Sequence, residues 1–283
     1  MTSIQLGAAL AKDLFEITDA TTVAGLRLTV AALIACVLWR PSVRVDRRAL
    51  PAIAGLGLAV AAMNVAFYAA IERIPLGVAV TIEFLGPLAV ALLGSRRRRD
   101  LVWVACAAGG VVLLMKSGGS VSWSGVLFAL VAGVGWGSYI LFGAAVAERT
   151  SGRNGLALAM VFGAAIAGPP ALADAGAALL DPWFLAAITG IAVLSSLVPH
   201  VIELEALRRI TPSAFGIMMS LEPAVAAAAG LVLLGESLAV AQWAGIVLVV
   251  AATAGAARVG AAPEQRQPPD RHPGRGIHAA SPG

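Results

Sequence analysis

The sequence predicts an all-α protein, a polytopic bundle of transmembrane helices, and three observations lead to this fold class. Hydrophobic residues make up 59% of the 283 positions and charged residues 13%, with a mean hydropathy of +0.87. A soluble domain of this size needs more polar surface to cover its core. The apolar residues form runs of about 20, the length that crosses a hydrocarbon layer ~30 Å thick. The sequence lacks the short alternating segments of a transmembrane barrel.

Nine full spans are predicted, separated by turn and breaker residues in short connections such as RIPLG and SGRNG. They cover residues 20–39, 49–71, 76–94, 101–116, 125–146, 155–173, 183–205, 212–234 and 239–257. Residues 3–16 look like the second half of a further span, so we expect an upstream start with Met1 as an internal methionine. The tail from Arg258 is rich in Pro, Gly and Arg without an apolar period, which predicts disorder.

Loop charge predicts the orientation in the membrane. When the spans alternate, 16 of the 20 basic residues fall on one side, in the arginine loops and the tail. The opposite side receives only Arg73 and Lys116. The positive-inside rule assigns the arginine loops and the C-terminus to the cytoplasm, so we expect a multi-pass protein of a bacterial plasma (inner) membrane. The basic charge is therefore a topology signal and predicts no nucleic-acid partner.

An internal repeat accompanies this topology. A displacement of 136 residues places Arg73 on Arg209 and Pro87 on Pro223 without a gap. Arg73 is expected outside and Arg209 inside, as in two halves related by inversion. Inverted repeats are typical of transporters whose substrate site lies between the halves near the midplane. The predicted units are a first repeat with an incomplete first helix, a second repeat and a cytoplasmic tail, at residues 1–116, 117–257 and 258–283.

Two carboxylates lie in the middle of predicted spans. An ionised group there costs at least ~2.5–3.5 kcal/mol, so Glu83 and Glu222 are expected to face a cavity or a partner. Under the displacement, Glu222 falls one helical turn from Glu83 and on the same face. Pro87 and Pro223 each free a backbone carbonyl one turn back, which needs a partner or a watered cavity. We interpret the pair as a substrate or proton site; the alternative is a structural bond to a neighbouring helix.

Other polar residues at depth extend the candidate site. Arg27 and Lys12 are cations that can pair with Glu83 or hold a substrate carboxylate, and snorkelling to the outer interface is the alternative for Arg27. Trp136 and Tyr139 share one helix face, where aromatic packing is as good an interpretation as substrate contact. The remaining candidates are Asn64, His200 and Glu203.

His200 and Glu203 are three residues apart, a spacing that suits a proton relay or a bond between helices. The other two histidines lie in the tail, so the sequence predicts no metal site. The chain has no H-E-x-x-H, P-loop or G-x-S-x-G motif. We therefore predict neither an enzyme nor a cofactor.

Several stretches are similar to a known family. The run NVAFYAAIERIPLGVAVTIEFLGPLAVALLGSRR resembles the fourth-helix region of drug/metabolite transporters, in their EamA-type ten-helix branch. VAGVGWGSYILFG and LGESL fit the second half of the same family. The pair EFLGPLAVALL and MSLEPA is especially similar to the homoserine/threonine exporter group. The resemblance extends from Ser3 to about Arg258.

The resemblance implies ten helices in two inverted halves, with both termini cytoplasmic. It implies secondary active efflux of small metabolites, here hydrophilic amino acids such as threonine and homoserine, driven by an ion gradient with H⁺ as the expected ion. Membrane lipid is the expected surrounding, and a homodimer is left open. The truncated first helix and His200, where the exporters carry an aromatic hydroxyl, depart from the pattern.

Two alternatives to amino-acid export are kept. A multidrug exporter of the same superfamily would carry hydrophobic cations, which aromatic cages usually bind, yet aromatic residues make up only 6% of the chain. An integral-membrane enzyme or a scaffold subunit belongs to another class, and no cluster of nucleophiles or metal ligands supports the enzyme.

Overall fold

The computed structural model describes residues 2–93, 101–116, 121–150, 152–199, 202, 209 and 212–260. Within these ranges the chain forms helices joined by short connections and contains no strand. The predicted all-α helical bundle is therefore confirmed.

Among the described residues, six α-helices of eight or more residues lie before residue 117 and six lie after it. The first six are α1 (Thr2–Asp13), α2 (Ala20–Trp39), α3 (Leu50–Ile71), α4 (Leu76–Glu83), α5 (Leu85–Leu93) and α6 (Leu101–Lys116). The others are α7 (Trp123–Arg149), α8 (Gly152–Ala175), α9 (Pro182–Ala192), α10 (Pro212–Met219), α11 (Glu222–Leu233) and α12 (Val240–Gly260). A π-helical turn, Val193–Leu197, continues α9.

Hydropathy and length identify the membrane spans. Six described segments are long and apolar enough to cross a membrane: Ala20–Trp39, Leu50–Ile71, Leu76–Leu93, Trp123–Arg149, Arg153–Leu180 and Val240–Arg258. Three shorter apolar helices are Leu101–Met115, Pro182–Ser196 and Ile217–Leu233. These segments overlap the nine spans predicted from the sequence, and the chain is a multi-pass membrane protein.

Pro87 and Pro223 interrupt the spans that carry the central carboxylates. α4 ends at Glu83 and α10 ends at Met219, each four residues before a proline. A proline has no N–H to bond the carbonyl four residues back and its ring clashes with that carbonyl, so the helix ends there. α10 has the bounds of α4 displaced by the same 136 residues that align the two sequence halves.

Helices that correspond under this displacement also pack against each other. α2 packs along α8 and α6 along α12, and in the two interrupted spans α4 of the first packs against α11 of the second. Two halves related by a two-fold axis produce this self-pairing. The division of the chain into two inverted repeats stays a prediction that this pattern supports.

The interrupted span crosses α7 at glycines. A Cβ on Gly86 would lie 1.9 Å from the carbonyl oxygen of Gly133, so only glycine permits this approach. A Cβ on Gly133 would in turn lie 2.9 Å from the carbonyl oxygen of Glu83, the one that Pro87 leaves free. Small residues at such crossings let helix backbones approach closely inside a membrane. The crossing brings Trp136 against Phe84, with ring centroids 4.7 Å apart, and so positions one wall of the cavity described next.

Candidate functional site

A cavity of about 210 Å³ lies between the helices of the two parts of the chain. It is many times larger than the roughly 10–15 Å³ that one water requires. Six of the nine substrate- or proton-site residues predicted from the sequence line it: Arg27, Asn64, Glu83, Trp136, Tyr139 and Glu222. Helices that are far apart in the sequence therefore bring these side chains together, as expected for a transport site between halves.

The two carboxylates occupy different helix ends. Glu222 is the first residue of α11, where the helix dipole favours a negative charge, and its Oε1 accepts a 3.2 Å hydrogen bond from Nε2 of Gln5. Glu83 is the last residue of α4, where the dipole opposes a negative charge. Both are buried, with 7% of Glu83 and 3% of Glu222 exposed. Among the described residues, no hydrogen bond or ion pair reaches the carboxylate of Glu83.

Arg27 is held inside the cavity by Tyr68, a fully buried residue of α3. Its Nη1 donates a 3.1 Å hydrogen bond to the Tyr68 hydroxyl, and the guanidinium carbon lies 5.4 Å from the centre of the Tyr68 ring. Nη2 lies 3.5 Å from Oγ of Ser196. Arg27 therefore lines the cavity and is bonded to neighbouring helices.

Three further polar residues line the cavity and were not among the sequence candidates. They are Gln5 of α1 and Ser195 and Ser196 of the π-helical turn. Single π-helical turns occur frequently at functional sites. The dipeptide Ser195–Ser196 inside an apolar run, and the amide Gln5 in an otherwise apolar segment, are the signals that could have identified them.

Comparison with known proteins identifies the family to which this chain belongs. The model of the EamA-like transporter family matches residues 123–258. The threonine/homoserine exporter RhtA of Salmonella typhimurium (strain LT2) is 38% identical over 262 residues, which cover 90% of this chain and 88% of the relative. The corresponding RhtA of Escherichia coli (strain K12) has the same identity and coverage. The chain belongs to the EamA-like transporter family. The resemblance stated from the sequence motifs is thereby confirmed.

Lys12 lies outside the cavity of this EamA-like chain. Its Nζ donates a 2.6 Å hydrogen bond to Oε1 of Glu236 in an ion pair that is only partly exposed to solvent. Oε2 of Glu236 accepts a 2.9 Å bond from the backbone N–H of Leu76, the first residue of α4. Glu236 thus caps a helix from another part of the chain, and Lys12 is bound to the capping side chain.

The remaining candidate residues are Asn64, Trp136, His200 and Glu203. Asn64 donates through Nδ2 to the carbonyl of Val60, one turn earlier in α3. Trp136 lines the cavity and also packs edge-to-face on Phe84. His200 and Glu203 lie outside the described residues. Within the described part of the chain, no group of three His, Cys, Asp or Glu side chains is placed to hold a metal.

Proposed function

We propose that this protein is a secondary active transporter that exports small amino acids, threonine and homoserine first among them, out of the bacterial cytoplasm. The observation that carries the proposal is a single cavity with two buried carboxylates, Glu83 and Glu222, and one guanidinium, Arg27. Charges are costly inside a membrane and mark substrate pathways. A zwitterion needs both signs of charge, and the curated relatives are threonine/homoserine exporters by name.

Proton coupling follows from the position of Glu83. A buried ionised carboxylate without a partner is unfavourable, so this group binds either a proton or a cation when the cavity is closed. The ammonium of an amino acid and a proton therefore compete for the same side chain. Such competition exchanges an outgoing amino acid for an incoming proton, which is export driven by the proton gradient.

The proposed direction requires the arginine loops and the C-terminus to be cytoplasmic. Cysteines introduced singly at Ser120 and Arg149 report the two sides of the membrane. An impermeant thiol reagent on intact cells is expected to label position 120 and to spare position 149. Equal labelling of both positions would contradict this orientation.

Counterflow in proteoliposomes tests the activity itself. Vesicles preloaded with threonine are expected to accumulate labelled threonine and homoserine, and labelled leucine and glutamate much less. A proton gradient is expected to drive uphill movement that an uncoupler abolishes. If no amino acid exchanges in vesicles that contain correctly inserted protein, the proposal fails.

A second candidate is the export of organic cations, because part of the cavity wall is aromatic and rich in methionine. Phe67, Trp136 and Tyr139 line the cavity together with Met63 and Met219. Such side chains bind cations and adapt to varied shapes. A quaternary ammonium compound that exchanges in the same vesicles, while threonine does not, would favour this function.

A further inference from the structure

We infer that the cavity contains a carboxylate subsite, formed by one edge of the Arg27 guanidinium and the hydroxyls of Ser195 and Ser196 on the π-helical turn. Molecules transported through it must then carry a free carboxylate. The inference rests on the proposed function and specifies its substrates as α-amino acids with both ends ionised.

The guanidinium of Arg27 is oriented with one edge away from the Tyr68 hydroxyl. Nη1 is bonded to the Tyr68 hydroxyl, and the Tyr68 ring lies under the guanidinium. The opposite edge consists of Nε and Nη2. Nε is buried without a hydrogen-bond partner, and Nη2 makes only the 3.5 Å contact with Ser196. An arginine edge with two parallel N–H groups matches the two oxygens of a carboxylate.

The π-helical turn places the hydroxyl of Ser196 beside this edge and Ser195 in the lining of the same cavity. Oγ of Ser195 is buried and has no hydrogen-bond partner, and Oγ of Ser196 is the group that contacts Nη2 of Arg27. α1 supports the turn because the hydroxyl of Ser3 donates a 2.9 Å hydrogen bond to the carbonyl of Leu194. Gly7 leaves the Ser195 hydroxyl its space, since a Cβ there would lie 2.1 Å from Oγ.

Unpartnered buried polar atoms are rare in native proteins and each calls for an explanation. Nε of Arg27 and Oγ of Ser195 line the same cavity, and both are donors that an incoming carboxylate would satisfy. Of the basic residues that the structure describes, only Arg27 lines the cavity, since Lys12 is paired with Glu236 elsewhere. The carboxylate of the substrate therefore has one place to bind, and its ammonium is left to Glu83 and Glu222.

The test compares threonine with its amide and its methyl ester, which keep the ammonium and hydroxyl groups and lack the carboxylate. In counterflow of labelled threonine by the wild-type protein, both analogues are expected to compete at least about tenfold more weakly than threonine, because a site built for a polar group rejects analogues without it. Arg27→Gln and Ser195→Ala are expected to raise the KM for threonine and to leave the weak inhibition by the amide unchanged. In these variants the preference for threonine over its amide is therefore smaller than in the wild-type protein.

Matched variants separate the subsite from general damage. Arg27→Lys keeps the charge and loses the paired N–H groups, so it is expected to remain impaired. Thr189→Ala is the control. It removes a hydroxyl on an exposed face of α9 that donates to the carbonyl of Leu185, and it is expected to behave as wild type. If Arg27→Gln fails to insert, Ser195→Ala still provides the measurement.

Failure of the carboxylate subsite and failure of the proposed function give different results. Wild-type protein that exchanges threonine but is inhibited equally by the amide, or Ser195→Ala with unchanged discrimination, would overturn the subsite and leave amino-acid export standing. Wild-type protein that exchanges no amino acid would remove the proposed function and the subsite with it.

Discussion

Two groups of charges lie within the helical bundle, and their surroundings differ. In the α1 ion pair, Lys12–Glu236, both carboxylate oxygens have partners, the lysine ammonium at 2.6 Å and the Leu76 N–H at 2.9 Å. In the cavity, Nε of Arg27, Oγ of Ser195 and Oε1 of Gln5 are buried without partners.

This difference separates charged groups that stabilise the fold from charged groups that line the cavity. A polar group that is buried without a partner is destabilising, and a fully satisfied network is stabilising or neutral. The α1 ion pair is complete without any solute, so its role is to join α1 and α4 to the turn that carries Glu236. The cavity has buried polar atoms without partners, and under the proposed function a solute with an ammonium and a carboxylate is their partner. Lys12 and Arg27 look alike in the sequence, and only their partners distinguish them.

The largest expected effect belongs to the carboxylates of the cavity. Glu83→Gln keeps the volume and removes the charge, so proton-driven export is expected to fall about 100-fold, equivalent to about 2.7 kcal/mol of lost interaction. The free energy of unfolding is expected to stay the same or to rise, because a neutral amide of similar volume costs no more to bury than a carboxyl group that can ionise. Transport assays and unfolding in detergent measure the two quantities. Glu222→Gln is expected to lose transport as well, and normal export by both variants would leave the site without support.

The α1 ion pair is expected to show the opposite behaviour. Lys12→Met leaves Glu236 without its cation, and the free energy of unfolding is expected to fall by about 3 kcal/mol, the lower end for buried pairs because 21% of Lys12 and 13% of Glu236 are exposed. The double variant with Glu236→Gln is expected to recover much of this loss, which a double-mutant cycle measures. The KM for threonine is expected to be unchanged. A tenfold rise in KM would place Lys12 in the transport site and break the comparison.

A smaller effect is expected where Tyr68 orients Arg27. Tyr68→Phe keeps the ring under the guanidinium and removes the hydroxyl that accepts from Nη1. The KM for threonine is expected to rise roughly three- to tenfold, because the arginine edge is less well positioned. The free energy of unfolding is expected to fall by about 1–2 kcal/mol, as for a lost hydrogen bond to a charged group. Kinetics and thermal unfolding on one preparation decide this, and an unchanged KM would deny Tyr68 any positioning role.

The smallest effect is expected at an exposed pair, which provides the baseline. Glu72 is paired with Arg73, and Arg73 also contacts the carbonyl of Ala69 and the ring of Phe128. Exposed pairs contribute little, so Glu72→Gln is expected to change the free energy of unfolding by less than about 0.5 kcal/mol and to transport as wild type. A larger loss of stability would mean that exposure alone does not separate the two kinds of charge.

Much of the fold was predictable because its signals are local. Runs of apolar residues predict the spans, and the predicted span 49–71 corresponds to the helix Leu50–Ile71. Pro87 and Pro223 predict breaks in the spans 76–94 and 212–234, and the structure divides each of these spans into two helices. The sequence identifies both prolines but does not say at which residue each helix ends. The ends at Glu83 and Met219 depend on the local backbone geometry before each proline.

The site was predictable only in part because its partners are distant in the sequence. Glu83, Glu222 and Arg27 stood out as charges within apolar runs, and all three line the cavity. The pairing of Lys12 with Glu236 joins residues 224 positions apart, and no local pattern carries that information. The serine hydroxyls of the π-helical turn face the cavity because of a local widening of the helix that hydropathy does not encode.

The distance along the chain between Lys12 and Glu236 also bears on synthesis. At the ~5–20 residues per second of translation, the 224 residues between them take roughly 11–45 s to make. Throughout that interval the ammonium of Lys12 lacks the carboxylate of Glu236, and the N–H of Leu76, once it is made, lacks its side-chain acceptor. A nascent chain that stalls before the LGES turn therefore carries an unpaired charge beside the bilayer. Proteases that survey incompletely assembled membrane proteins act on such exposed, loosely packed segments. The ion pair that joins α1 to the LGES turn therefore forms only after the ribosome has made the 224 residues that separate Lys12 from Glu236.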